Sequence, residues 1–190
     1  MPAWAWVLIV IVALIVVAAA LAGAMMRRRS SHLQSTFGPE YDRTLEQSGS
    51  RREAESELAD REKRRKQLDI RPLSAEARDG YAERWRETSA DFVDSPASAV
   101  TQADALLIEV MRDRGYPMDD FDQRAADVSV DHPDVVERYR EGHRLSLLAA
   151  DGSASTEDLR QAMQHYRELF DELLEPAADE PATYESINRR

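Results

Sequence analysis

Residues 3–26 form an unbroken apolar run that ends abruptly at Arg27, Arg28 and Arg29. At ~1.5 Å per residue a helix of that length covers ~36 Å, enough to cross a hydrocarbon core of ~30 Å with some tilt. The run therefore predicts a transmembrane helix over 3–26. A cleaved signal peptide would start with basic residues and carry only ~7 to 15 apolar ones. Here Met1 to Trp6 has no basic side chain and the run is longer, so an uncleaved anchor is expected, although small residues at Ala18 to Ala24 leave room for cleavage. Leu21, Ala22 and Gly23 resemble the approach to a lipoprotein cleavage site, but Ala24 stands where the lipidated cysteine would be, and the chain has no cysteine.

Basic residues beside a span favour the cytoplasmic side. Arg27, Arg28 and Arg29 follow the apolar run, which places Met1 outside and everything after the span in the cytoplasm of a single-pass cell-membrane protein. Trp4 and Trp6 suit the outer membrane interface, where amphipathic rings sit at the headgroup level. Ala19 and Gly23, with Ala20 and Ala24, have a spacing that lets two membrane helices approach. A homodimer is thus compatible with the segment, and in an alanine-rich run the same spacing also arises by coincidence.

Charge divides the rest. Residues 27–72 hold 12 Lys and Arg against 9 Asp and Glu, whereas residues 73–190 hold 13 against 27, a net of −14. Phosphate binding wants a basic face, so nucleic acid is not expected as a partner of the distal part. Lys63 and Lys66 are the only lysines, an arginine bias typical of GC-rich bacterial genomes.

Residues 27–72 read as a basic linker and charged helical stalk. Residues 30–38 read as linker, Pro39 opens a short helix to Gln47, and residues 51–68 form a stalk or weak coiled coil with Ala54, Leu58 and Leu68 as its sparse seam. Glu57 with Arg61, Asp60 with Arg64, and Glu62 with Lys66 have the four-residue spacing of exposed helical ion pairs. The basic cluster at 61–66 reads as a solvated face, with lipid headgroups as the alternative contact.

Residues 73–175 carry the pattern of a small helical bundle. Ser74 caps a helix with Ala77, Tyr81, Trp85, Thr88 and Phe92 on one face. Pro96 starts a second with Val100, Ala103, Leu107 and Val110 inward, closed by Gly115 and Pro117. Residues 119–128 form a shorter segment offering Phe121 and Ala125. Asp131 and Pro133 open a helix bearing Val136, Tyr139, His143 and Leu147, and Ser155 with Asp158 begins the last, with Leu159, Met163, Tyr166, Phe170 and Leu173 aligned. Residues 176–190 read as a disordered tail. The expected fold is all-α: a transmembrane helix, a charged stalk and a bundle.

Four strings, QSTFGPEYDR (34–43), LDIRPLS (68–74), RGYPMDDFDQRAADVSVDHPDVVERYR (114–140) and TEDLRQAMQHYRELF (156–170), resemble those of a group of uncharacterised, mainly actinobacterial proteins with one N-terminal apolar segment. The resemblance covers nearly everything after the span. It implies no activity, substrate or cofactor.

His32, His132, His143 and His165 are not spaced as metal ligands, and the seven glycines are isolated rather than gathered in a phosphate loop. His143 lies on an apolar face and reads as a core or boundary histidine, and no catalytic, cofactor-binding or metal residue is assigned. Two functions compete. The favoured one is a protein-binding or scaffolding module at the membrane, with Tyr116, Phe121, Arg124 and Asp127 as part of the interaction surface, because the connection at 116–133 lacks a long apolar period. The alternative is an enzyme with Arg124, Asp127, Asp131 and His132 lining a pocket between helices. Lipid sensing by the basic stalk is a third.

Overall fold

The computed structural model describes residues 3–176, the side chains of Ala3 and of residues 5–10 excepted. The expected tail therefore lies outside the described residues except for Pro176, as does the side chain of Trp6. All the regular structure among the described residues is helical, in eight helices. They divide into two units, Met1–Asp60 and Arg61–Arg190.

The first unit contains α1 (Ala3–Phe37), α2 (Pro39–Gln47) and the start of α3 (Arg51–Arg65). α1 runs for 35 residues and is long and apolar enough to cross a membrane. Trp4 and every residue from Ile11 to Arg29 are exposed. The environment changes at Ser30. Ser30, Leu33 and Phe37 are buried, as are Glu40, Tyr41 and Thr44 on α2 and Ala54 and Leu58 on α3. Arg51 donates to the Ser30 hydroxyl and pairs with Glu55 at 2.8 Å, and the Tyr41 hydroxyl donates to Glu55 at 3.0 Å. Residues 30–37 are thus helix with a packed face, not the expected linker. Ser30, Leu33 and Phe37 recur at steps of three and four, a seam too short to register as a periodic signal amid polar neighbours.

The second unit holds the last turn of α3 and then α4 (Ala75–Asp91), α5 (Pro96–Arg114), α6 (Phe121–Asp131), α7 (Val136–Ala150) and α8 (Thr156–Leu174). Their starts follow local chemistry. The Ser74 hydroxyl accepts from the Ala77 N–H at 3.2 Å, Asp120 accepts from the Gln123 N–H at 2.9 Å, Pro96 opens α5, and Ser155 with Asp158 forms a reciprocal capping box on α8. α5 packs against α4, α7 and α8, α7 lies along α8, and α6 leans on α7. Trp85 of α4 stacks on Phe170 of α8 with centroids 4.6 Å apart, in a core that includes Leu107, Val110, Met111, Tyr139, Tyr166 and Leu169.

Two sequence expectations need correction here. Asp131 is the last residue of α6 rather than the opening of α7, which begins at Val136. The buried face of α7 is Val136, Tyr139, Gly142, Leu145 and Ala149, and Leu147 is exposed. Gly142 marks the face without an apolar side chain to announce it. A Cβ there would meet the Tyr166 ring at 3.0 Å, so this glycine is what lets α7 and α8 approach closely.

Candidate functional site

The stretch at 116–133, expected to present a recognition surface, is tied inward. Tyr116 is buried and donates its hydroxyl to Asp131 at 2.9 Å. Phe121 is half-buried and stacks on His143, with centroids 3.8 Å apart and planes 10° apart, while tilting against Tyr139. Arg124 is buried, donating from Nε to the Tyr139 hydroxyl at 2.9 Å and from Nη1 to the Asp119 carbonyl at 3.3 Å. Asp127 is 0 % exposed and accepts from Gln123 at 3.1 Å. Tyr116, Phe121, Arg124 and Asp127 therefore do not form an exposed surface; Arg124 and Asp127 are buried where α6 meets α7 and the last turn of α3, and Tyr116, in the connection before α6, is buried with its hydroxyl on Asp131.

That last turn supplies the second correction. The basic cluster at 61–66 forms neither a purely solvated face nor a free headgroup contact. Arg64 pairs with Asp119 at 2.6 Å and lies 3.1 Å from Asp127, Arg65 pairs with Asp131, and Arg61 reaches the Ser129 hydroxyl at 3.5 Å. Arg64 thus engages α6 and the turn before it, although Asp60 stands one helical turn away on its own helix. Glu62 and Lys66 do form the expected pair, at 2.6 Å. Burial pushes the Asp127 carboxyl up from its ordinary range in spite of the opposing Arg64 charge.

The four residues of the enzyme alternative are held apart by their partners. Arg124 is committed to Tyr139, Asp127 to Gln123 and Arg64, Asp131 to Arg65 and Tyr116, and His132 to Glu172, with Nδ1 and Oε2 3.2 Å apart. His143 is half-buried with Nδ1 3.7 Å from Asp104, whose Oδ1 accepts from Tyr166 at 2.7 Å. Sequence spacing could not have found that contact, since Asp104, His143 and Tyr166 lie on three different helices.

A separate cleft of about 250 Å³ opens between α4 and α5, lined by Arg84, Glu87, Thr88, Asp91, Gln102, Ala105, Leu106 and Glu109. Arg84 pairs across it with Glu109 at 2.6 Å and lies over the Tyr81 ring. No three His, Asp or Glu side chains among the described residues are grouped to hold a metal ion.

No family model, curated protein or solved structure matches this chain.

The half-buried histidines His132 and His165 give a pH dependence. Burial holds His132 below its ordinary 6.5, with Arg114 acting in the same direction and Glu172 and Asp131 opposing, and burial lowers His165 likewise. The unfolded chain then binds protons more readily than the folded one, so this stability is fully present above pH ~6.5 and is lost as pH falls below it. Asp127 acts with the opposite sign, since its raised carboxyl favours the folded state until pH climbs through that raised value. Urea unfolding at pH 7.5 and 5.5 should show the lower midpoint at 5.5, with a shallower dependence in His132→Gln. Equal midpoints would show that these imidazoles are protonated alike in both states.

Proposed function

We propose that this chain is a single-pass membrane-anchored protein whose helical domain binds or scaffolds a protein partner on the cytoplasmic side, with Met1 outside. The observation that carries the reading is the abrupt change along α1. Its side chains are exposed from Ile11 to Arg29, as a lipid-facing helix requires, and at Ser30 the same helix begins to pack against polar and aromatic residues. Exposed Arg27, Arg28 and Arg29 at that transition support the cytoplasmic placement. The net of −14 over residues 73–190 disfavours nucleic acid and suits a protein partner with basic character. The enzyme reading is weakened because its four polar side chains are engaged with separate partners. Kinship with the mainly actinobacterial group belongs to the same proposal.

Spheroplasts expressing the full chain test both halves. Protease added outside should leave the distal unit uncut, and a photoactivatable residue at Val93, 85 % exposed, should yield a discrete crosslinked band. Digestion of the distal unit would reverse the orientation. Failure to obtain a discrete band from Val93 or from any exposed position on α4 to α8 would overturn the binding function.

A further inference from the structure

We infer that the first unit binds the phosphate of anionic phospholipid headgroups through Arg27, Arg28, Arg29 and Arg52, with Arg51 as the residue that positions Arg52. The inference rests on the membrane anchoring proposed above and is independent of orientation and of any protein partner.

Helix length places the first three arginines. A hydrocarbon core of ~30 Å takes up about 20 residues of helix, and the headgroup region adds ~5–7 Å on each side. Arg27, Arg28 and Arg29 are helical and directly follow the apolar run, and with Ser30 they extend it by only ~6 Å, so they fall in the headgroup layer. Three consecutive helical residues spread over about 200° of the circumference, which turns them into a collar.

The fourth comes from elsewhere in the chain. Arg51, the first residue of α3, donates to the buried Ser30 hydroxyl across 21 residues of sequence. That bond holds the start of α3 against α1 one residue beyond Arg29. Arg51 also pairs with Glu55 at 2.8 Å, so much of its charge is met. Arg52 follows it and is exposed, and neither Arg52 nor Arg27, Arg28 or Arg29 has a hydrogen-bond or ion-pair partner among the described residues.

Counter-charge is scarce at this level. No Asp or Glu precedes Glu40 in the chain, Glu40 is buried, and Glu55 is held by Arg51 and the Tyr41 hydroxyl. Glu53 accepts from the Ser50 hydroxyl at 3.1 Å and is the other acid in the first turns of α3. Five arginines therefore outnumber two carboxylates. The cluster at 61–66, by contrast, spends Arg64 and Arg65 on Asp119, Asp127 and Asp131. A guanidinium fork matches phosphate oxygens, and four or more basic residues beside a span are attracted to anionic lipid.

The test places the full chain in phosphatidylcholine vesicles containing a trace of spin-labelled phosphatidylglycerol or spin-labelled phosphatidylcholine. Electron spin resonance should show phosphatidylglycerol enriched about 3-fold over phosphatidylcholine in the protein-contacting fraction, and the enrichment should fall with added salt. Arg28→Gln and Arg52→Gln should each cut it by about half, and Arg52→Lys should restore it, with no change in the circular-dichroism melt. Equal association of the two lipids, or an enrichment that Arg52→Gln leaves intact, would overturn the inference, the second because a simple collar on α1 would then suffice. Displacement of the labelled lipid by millimolar glycerol phosphate would show a site for soluble phosphate and overturn it as well. Flotation separates this failure from that of the anchoring. A chain that floats with the vesicles but does not select phosphatidylglycerol keeps its anchor and loses the lipid site, whereas a chain that does not float defeats both.

Discussion

Asp127→Arg is expected to destabilise the second unit by about 4 kcal/mol and lower its melting temperature by ~10–20 °C. Asp127 is 0 % exposed, with Gln123 and Arg64 within reach of one carboxylate oxygen and the other oxygen unbonded. Reversal would press a long cation against Arg64 in a space sized for an aspartate. Asp127→Asn should behave differently. Burial already outweighs Arg64 in setting the state of this carboxyl, so removing its charge relieves desolvation while Gln123 can still donate, and the change should stay within ~1 kcal/mol. Circular-dichroism melts of the two variants distinguish a buried structural group from an exposed recognition residue. An unchanged melting temperature for Asp127→Arg would contradict the buried placement.

Gly115→Ala should cost about 3 kcal/mol, an effect out of proportion to one added methyl group. Gly115 closes α5 at φ 97°, a conformation that penalises any Cβ by ~1–2 kcal/mol. The added Cβ would also lie 2.3 Å from the Asp69 carbonyl oxygen, which is backbone and cannot rotate away. Relief requires the 69–71 segment to lift off the end of α5, breaking the Arg71 N–H bond to the Arg114 carbonyl at 2.9 Å. Gly80→Ala is the matched control, since a Cβ there meets nothing within 4 Å and helix propensity favours alanine. Denaturant midpoints should therefore fall for Gly115→Ala and hold or rise for Gly80→Ala. Equal behaviour of the two would show that the 69–71 segment does not rest on this glycine.

The all-helical class, the apolar first helix and the starts of α4, α5 and α8 were legible in the sequence because they are decided within a few residues. An apolar run of membrane length needs no partner to be recognised, and Ser74, Pro96 and the Ser155–Asp158 pair act on the backbone beside them. The inward faces of α4, α5 and α8 were equally readable from their three-four spacing. Tertiary structure alone decided where the charges of 61–66 and 116–133 go. Arg64 meets Asp119 and Asp127, and Arg65 meets Asp131, across 55 to 66 residues of chain, and no periodicity records a pairing at that separation. It also decided that α7 turns Gly142 rather than Leu147 toward α8, because the fit of a glycine against the Tyr166 ring is a property of two packed helices and not of either sequence by itself.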